Sequence, residues 1–215
     1  MSAPVAIAQD PPAYKLIGTL AVAGLLSGLG IVSVYKITLP TIEANKAAAL
    51  ESAVFQVVPG AERMERLAWR DGQLVPEPKG KGDAVFAAWD GAGAFLGYGV
   101  PAAASGFQDT ISLIYGYNPE QGKVLGMRVL DSRETPGLGD KIVKDAHFVA
   151  EFDGLVVSPK IELVKGHGEA PNQVDAITGA TISSRAVVKI VSEAHAAWSE
   201  RFPAVAPTPA SGGAP

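Results

Sequence analysis

The longest hydrophobic feature of the chain is a run of 20 uncharged residues, Leu16 to Tyr35, bounded by Lys15 and Lys36. Twenty helical residues span about 30 Å, which matches the hydrocarbon core of a bilayer. A cleavable signal peptide has a shorter apolar core of about 7–15 residues. We therefore predict an uncleaved transmembrane anchor over residues 13–38. The flanking lysines do not decide its orientation.

Beyond the anchor, several short stretches are rich in Val, Ile, Tyr and Phe and are separated by Asp-Gly, Asn-Pro and Gln-Gly pairs. This composition predicts strands that alternate with turns. Because the connections are short, neighbouring strands should pair antiparallel. The predicted strands are Ala84–Trp89, Ala94–Val100, Thr110–Tyr117 and Lys123–Leu130, with shorter ones at Val156-Val157 and Ile161–Val164.

Three further segments have helical patterns. Thr41 is placed to cap a helix that runs to Val58 and continues the anchor as a stalk. Lys144–Phe152 is a short helix, and Ile182–Arg201 is the strongest helical pattern outside the membrane. Its apolar residues fall on one face: Val187, Val188, Ile190, Val191, Ala194 and Trp198. The predicted fold class is α+β, an antiparallel sheet with helices packed on it.

The same pattern divides the chain into four parts. Residues 1–12 form a short polar tail and residues 13–38 the anchor. Residues 39–202 are long enough for one compact domain with its own core. Residues 203–215 are rich in Pro, Ala, Gly and Ser without charge or periodicity, which predicts a disordered tail.

Composition excludes several classes of protein. The chain has no cysteine, so it forms no disulfide and has no thiolate for zinc, an iron–sulfur cluster or covalent haem. A net charge of −4 and no basic, aromatic stretch argue against nucleic-acid binding. His147, His167 and His195 lack ligand spacing, and we expect no metal site.

The segment from Asp175 to Ser184 places four hydroxyl groups within seven residues, directly before the long helix. In one interpretation Thr178 or Thr181 caps the helix and Gly179 permits a tight backbone. In the other, the free amides of the helix start bind a phosphate, and small neighbours leave the Thr181 hydroxyl accessible.

A second segment, Glu134 to Gly139, contains a Pro136-Gly137 pair typical of a type II turn. Gly139 permits another close backbone approach. The segment is interpreted either as an ordinary turn or as a glycine-rich surface for a flat ring. In the second case Thr135 reaches the polar edge of the ring and Leu138 makes an apolar contact.

These two segments resemble a known family. Thr178-Gly179-Ala180-Thr181 matches the [S/T]-G-A-T motif of domains with covalently bound FMN. Glu134 to Lys141 looks like the E-T-P-G-L-G-D-K stretch of the G subunit of the Rnf electron-transport complex. The C subunit of the sodium-pumping NADH:quinone reductase is a more distant relative. The similarity covers nearly the whole chain, from the single anchor to the last helix.

The resemblance implies that FMN is joined through its phosphate to Thr181 by a flavin transferase that uses FAD. It implies that Asp175 assists this modification. The other residues expected at the cofactor are Thr178, Gly179, Ala180, Ser183, Ser184, Glu134, Thr135, Pro136, Gly137, Leu138 and Gly139. Relatives commonly have His-Lys before the Glu-Thr-Pro sequence, whereas this chain has Ser132-Arg133.

It further implies an electron-carrying subunit of an Rnf-type complex, which works with other membrane subunits between ferredoxin and NAD. The anchor would lie in the bacterial inner membrane, with the main domain on the periplasmic side. One alternative is a membrane-anchored sensor or interaction domain without flavin. Another is a flavin domain of a different extracytoplasmic redox chain.

Overall fold

The computed structural model describes residues 12–77, 80, 82–203 and 207–208. The chain divides into two compact units, Met1–Ala47 and Ala48–Pro215. The tails predicted at 1–12 and 203–215 lie outside the described residues, except for Pro12, Pro203, Pro207 and Thr208.

The first unit is helical in its described part. Helix α1 spans Ala13–Val57 and contains the apolar run, whose large side chains, such as Leu20 and Ile31, are exposed. The run is long and apolar enough to cross a membrane, and none of it is buried by the described residues. Exposure of such a long apolar surface is expected for a helix surrounded by lipid.

The predicted capping role of Thr41 is wrong, whereas the predicted continuation of the anchor as a helical stalk is confirmed. Helix α1 continues through Pro40 without interruption, and Thr41 is therefore an interior residue and not an N-cap. Proline removes one backbone donor and disfavours the preceding turn. The residues that follow are mostly strong helix formers, Ala, Glu, Lys and Leu, which allow the helix to continue.

The second unit is built on a six-stranded antiparallel sheet. Its strands are β1 Arg63–Arg70, β2 Gln73–Pro76, β3 Ala84–Trp89, β4 Phe95–Ser105, β5 Thr110–Asn118 and β6 Lys123–Asp131. They lie in the order β2-β1-β3-β4-β5-β6. Sequential strands from β3 to β6 are neighbours, as expected for short connections.

The four long predicted strands are confirmed, but β1 and β2 were not predicted. Four of the eight residues of β1 are Arg or Glu, which hides its strand character in the sequence. Strand β4 also continues beyond its predicted end at Val100. Pro101 pairs opposite Ile114 and the ladder runs on to Ser105.

The single helix predicted at Lys144–Phe152 is two short helices, α2 Lys141–Lys144 and α3 Ala146–Ala150. The helix is interrupted at Asp145. The carboxylate of Asp145 accepts hydrogen bonds from the amides of His147 and Phe148 at 3.0 and 3.3 Å. A carboxylate in this position is a typical N-cap and begins a new helix.

A small parallel pair completes the strands. It consists of β7 Glu162–Val164 and β8 Gln173–Asp175. The predicted strand at Ile161–Val164 is thus confirmed in shortened form, whereas β8 was not predicted. The predicted strand at Val156-Val157 is only an isolated bridge between Val156 and Lys123.

Both faces of the large sheet are covered. Val54 and Val57, at the end of α1, pack with Phe86 and Ile114 on one face. Helix α4, Thr181–Ser199, packs on the other face. Its buried stripe contains the predicted residues Val187, Val188, Ile190, Val191 and Trp198, with Ala194 partly buried beside them. The α+β prediction is confirmed.

Candidate functional site

A serine, and not a threonine, forms the side-chain hydrogen bonds that stabilise the start of α4. The N-cap is Ala180, which has no capping side chain, so the interpretation of Thr178 or Thr181 as a cap is wrong. Instead, the buried Ser184 hydroxyl accepts from the amide of Ile177 at 3.2 Å and donates to the carbonyl of Ala180 at 3.0 Å. Gly179 has φ +84°, which confirms the expected tight backbone.

Thr181 is the first residue of α4 and is half-buried. Among the described residues, its hydroxyl and that of the exposed Thr178 have no hydrogen-bond partner. The amides of Thr181, Ile182 and Ser183 are likewise unpaired within the described residues. Unpaired amides at the start of a 19-residue helix attract an anion.

Glu134 is the buried charged group of the site, with a side chain only 5% exposed. Its Oε2 accepts the hydroxyl of Ser183 at 2.5 Å. Its Oε1 accepts the amides of Phe107 and Gln108 at 2.9 and 3.0 Å. Burial by itself raises the pKa of this carboxyl, but the Ser183 hydroxyl and the loop amides outweigh it and lower the pKa below its ordinary value.

The turn after Glu134 has the predicted form. Leu138 donates its amide to the carbonyl of Thr135 at 3.1 Å, and Gly137 has φ +77°. A Cβ on Gly139 would lie 2.7 Å from both Glu134 Oε2 and Ser183 Oγ. The close approach expected at Gly139 is therefore real, and it places the turn against α4.

The loop before β5 reaches the same carboxylate. A Cβ on Gly106 would lie 2.5 Å from Glu134 Oε1, so this glycine also allows a close approach. The Thr135 hydroxyl donates to Gln108 Oε1 at 2.7 Å and ties the turn to this loop. Three segments distant in sequence thus meet at Glu134.

An open cleft of about 550 Å³ lies beside Thr178. Its lining includes two lysines of α2, Lys141 and Lys144, and three carboxylates, those of Asp145, Glu151 and Asp175. Lys141 Nζ donates to the carbonyl of Thr178 at 3.3 Å, whereas Lys144 pairs with Asp140. Lys141 therefore brings a positive charge to the segment that carries the hydroxyl groups.

Asp175 lies at the end of β8 and lines the same cleft. Its carboxylate accepts the amide of Gly168 at 2.7 Å and lies 3.3 Å from His167 Nδ1. Its own amide donates to Glu151. Burial raises the pKa of the Glu151 carboxyl, and the nearby Asp175 charge adds to this effect.

The three histidines are separate. His147 pairs with Glu151 on α3, His167 lies beside Asp175, and His195 contacts the Tyr117 ring edge-on. Within the described part of the chain, no group of three or more His, Cys, Asp or Glu residues is arranged to hold a metal.

The structure brings Glu134, Gly139 and Ser183 together, whereas Asp175 lines the cleft beside Thr178. Phe107, Gln108 and Lys141 also belong to the site, and none of them was predicted as a member. No local signal marks Phe107 and Gln108, since both belong to an ordinary hairpin loop. Lys141 is the last residue of the E-T-P-G-L-G-D-K sequence that begins at Glu134. Its contact with Thr178, however, spans 37 positions.

Comparison with known proteins agrees with this geometry. The sequence profile of the FMN-binding domain family matches residues 106–196, which contain all three segments that meet at Glu134. The G subunit of the proton-translocating ferredoxin:NAD(+) oxidoreductase complex of Clostridium ljungdahlii is 31% identical over 182 residues, which are 84% of this chain and 89% of the relative.

The G subunit of the ion-translocating oxidoreductase complex of Shewanella piezotolerans is 41% identical over 113 residues, about half of each chain. Among solved structures, NqrC of Shewanella oneidensis superposes with a TM-score of 0.57 at 18% identity, over 69% of this chain and 91% of NqrC. The C subunit of the Na(+)-translocating NADH-quinone reductase of Parabacteroides distasonis gives a TM-score of 0.52 at 21% identity, covering 66% and 77% of the two chains. Both solved structures share the fold of this chain over the residues that they cover.

Proposed function

This chain belongs to the family of G subunits of Rnf-type ion-translocating oxidoreductase complexes, and we propose that it carries electrons through an FMN attached covalently to Thr181. The complex would move electrons between ferredoxin and NAD and couple this flow to ion transport. The flavin supplies the redox chemistry when bound, and the protein supplies its position and electrostatic surroundings.

The observation that supports this proposal most is which of the four hydroxyl groups around the start of α4 form hydrogen bonds. Ser183 donates to Glu134, and Ser184 is engaged on both sides by Ile177 and Ala180. Thr178 and Thr181 are free among the described residues, and only Thr181 lies within the helix start. This arrangement favours Thr181 as the acceptor.

The surroundings of Thr181 suit a phosphate ester, which keeps one negative charge. The unpaired amides of Thr181, Ile182 and Ser183 offer donors to the phosphate oxygens. Lys141 adds a cation nearby. The small residues Gly179 and Ala180 leave room on the amino-terminal side.

The attachment would be a group transfer from FAD, catalysed by a separate flavin transferase. The Oγ1 atom of Thr181 bonds to the phosphorus on the flavin side, the P–O bond to AMP breaks, and the hydroxyl proton is released. Asp175 would assist from the cleft wall. We further propose that α1 anchors the chain in the bacterial inner membrane, with the flavin domain on the periplasmic side.

A denaturing gel tests the proposal. When the full chain is coexpressed with a flavin transferase, we expect a fluorescent flavin band that Thr181→Ala abolishes. Thr178→Ala is the matched control, because it removes a similarly free hydroxyl three residues earlier and should keep the band. A band that survives Thr181→Ala and disappears with Thr178→Ala would contradict the assignment.

Copurification separates the remaining alternatives. Isolation of the loaded chain with other membrane subunits of an Rnf-type complex supports the proposed role, and isolation with a different redox partner would contradict it. The alternative of a flavin-free sensor or interaction domain, in which the Thr/Ser cluster only stabilises the helix start, predicts a colourless protein without a fluorescent band.

A further inference from the structure

Five aromatic side chains form a cluster where the end of α4 meets the β3–β4 hairpin, far from the start of α4. The Phe202 ring, just beyond α4, stacks on Tyr98 with the ring centroids 4.6 Å apart and lies 5.4 Å from Tyr117. Phe95 meets Tyr98 edge-on at 4.8 Å and Trp89 at 6.3 Å. Aromatic pairs attract one another at these separations, so the five rings pack as one unit, which we call the aromatic cluster.

A groove of about 320 Å³ lies on this cluster, and we call it the aromatic groove. Four of the five rings and two prolines line it: Phe95, Tyr98, Tyr117, Phe202, Pro119 and Pro203. The Tyr98 hydroxyl is buried and has no hydrogen-bond partner in the described part of the chain. A groove of this chemistry favours an apolar, extended ligand that brings hydrogen-bond acceptors.

The fifth ring of the cluster, that of Trp89, already has such an acceptor. Its side chain is buried at the end of β3. The indole Nε1 donates a hydrogen bond to the carbonyl oxygen of Pro207 at 2.9 Å, a contact that spans 118 positions. A buried indole N–H requires an acceptor, because leaving it unpaired costs free energy. Here the acceptor comes from the carboxyl-terminal segment of the chain.

That segment, residues 203–209, contains Pro203, Pro207 and Pro209 and has no charged side chain. Proline lacks an amide hydrogen and has a fixed φ, which favours the extended polyproline II conformation. The carbonyl groups of this conformation make no internal hydrogen bonds and are free to accept. Aromatic grooves bind such segments because a preformed extended ligand loses little entropy.

We propose that the aromatic groove is a binding site for a proline-rich segment and that its occupant is residues 203–209 of the same chain. Two contacts support this assignment, since Pro203 lines the groove and Pro207 accepts from Trp89. A tethered segment has an effective concentration on the order of millimolar, which favours it over a free peptide. Composition alone predicts disorder for these residues, and the groove orders them. The bound segment ties the end of α4 to the β3–β4 hairpin.

A spin label tests the proposal on the full chain in detergent. Because the chain has no cysteine, Thr208→Cys provides a single site for a nitroxide label. Thr208 is exposed and directly follows Pro207, so the label lies outside the groove. We expect slow label motion, and Trp89→Phe should speed it several-fold because it removes the N–H donor and keeps a ring. Trp69→Phe, on β1 and outside the groove, is the matched control and should leave the motion slow.

A change in the segment itself avoids any disturbance of the core. The double substitution Pro203→Gly and Pro207→Gly keeps every carbonyl group but removes the preference for an extended conformation. It should also speed the motion of the label several-fold. Pro215→Gly, at the last residue and outside the proposed segment, is the matched control and should have no effect.

Several results would overturn the proposal. One is a label that moves as freely in the folded chain as in the urea-unfolded chain. Another is slow motion that neither Trp89→Phe nor the double proline substitution changes. Slow motion that disappears on dilution at constant detergent would assign the groove to the segment of a second copy. Slow motion only after other membrane subunits are added would assign the segment to a partner. No measurement requires flavin, so the outcome is independent of the proposed attachment to Thr181.

Discussion

Glu134 shows how a single buried carboxylate can assemble a site from distant segments. An ionised group without partners is costly to bury, but here both oxygens accept hydrogen bonds from neutral donors. Gly106 and Gly139 permit the close approach because neither has a Cβ. The carboxylate consequently fixes the loop, the turn and the start of α4 relative to one another.

Glu134→Gln should destabilise the domain by about 1–2 kcal/mol, the difference between charged and neutral hydrogen bonds. Glutamine keeps an oxygen for the loop amides but places an NH2 donor where Oε2 accepts the hydrogen bond from the Ser183 hydroxyl. Chemical denaturation of the full chain in detergent measures the change. The matched control is Glu193→Gln on the exposed side of α4, where we expect less than about 0.5 kcal/mol.

The same variant should make stability depend less on pH. The pKa of Glu134 is lower in the folded chain than in the unfolded chain, so the unfolded state takes up the proton first. The wild type therefore has a larger free energy of unfolding than Glu134→Gln at pH values above about 4.3, the pKa of a glutamate in the unfolded chain. This difference in stability declines as the pH falls through the lower pKa of Glu134 in the folded chain. An advantage that grows in acid would contradict this assignment.

At the scale of the element, the first turn of α4 separates structural hydroxyl groups from available ones. Ser184 lies in the interior and stabilises the turn, whereas Thr181 remains free at the helix start. The apolar stripe of α4 was predictable because it repeats with helical periodicity. The role of Ser184 in the first turn was not predictable, since any of the four hydroxyl groups could bond the backbone there and only packing selects Ser184.

Ser184→Ala should destabilise the domain by about 1–3 kcal/mol, because the buried amide of Ile177 loses its acceptor. Ser192→Ala on the same helix is the matched control. Its hydroxyl only donates to the carbonyl of Val188, and we expect a change within about 0.5 kcal/mol.

Urea denaturation of the two variants measures the difference. Equal stabilities of Ser184→Ala and Ser192→Ala would show that Ser184 does not organise the turn. The flavin band on a denaturing gel should persist in Ser184→Ala, since Thr181 is unchanged.

At the scale of the whole second unit, the sheet is covered on both faces. The end of α1 approaches one face so closely that a Cβ on Gly116 would overlap the carbonyl of Val57. On the other face, the start of α4 brings Ser183 to Glu134, where the turn begins. The site is thus located where a helix covering the sheet begins.

Gly116→Ala should destabilise this packing by about 1–3 kcal/mol or more, because backbone cannot move aside as a flexible side chain can. Gly126 pairs directly with Gly116 across β5 and β6. A Cβ there would lie 3.3 Å from the Asp153 side chain and 3.5 Å from Val57, so Gly126→Ala should be much milder. Thermal unfolding of both variants checks this; a milder effect of Gly116→Ala than of Gly126→Ala would contradict the close approach.

The sequence by itself determined the apolar anchor, the main strands, the last helix and the positions of the two glycine-containing motifs. These features depend on local composition and periodicity, which are visible without a fold. Only the tertiary structure decided which hydroxyl groups are engaged and which residues join the motifs. The Ser183–Glu134 bond spans 49 positions and the Phe107–Glu134 bond spans 27. Whether a hydroxyl or a carboxylate is buried or available depends on such distant partners, and local sequence does not contain them.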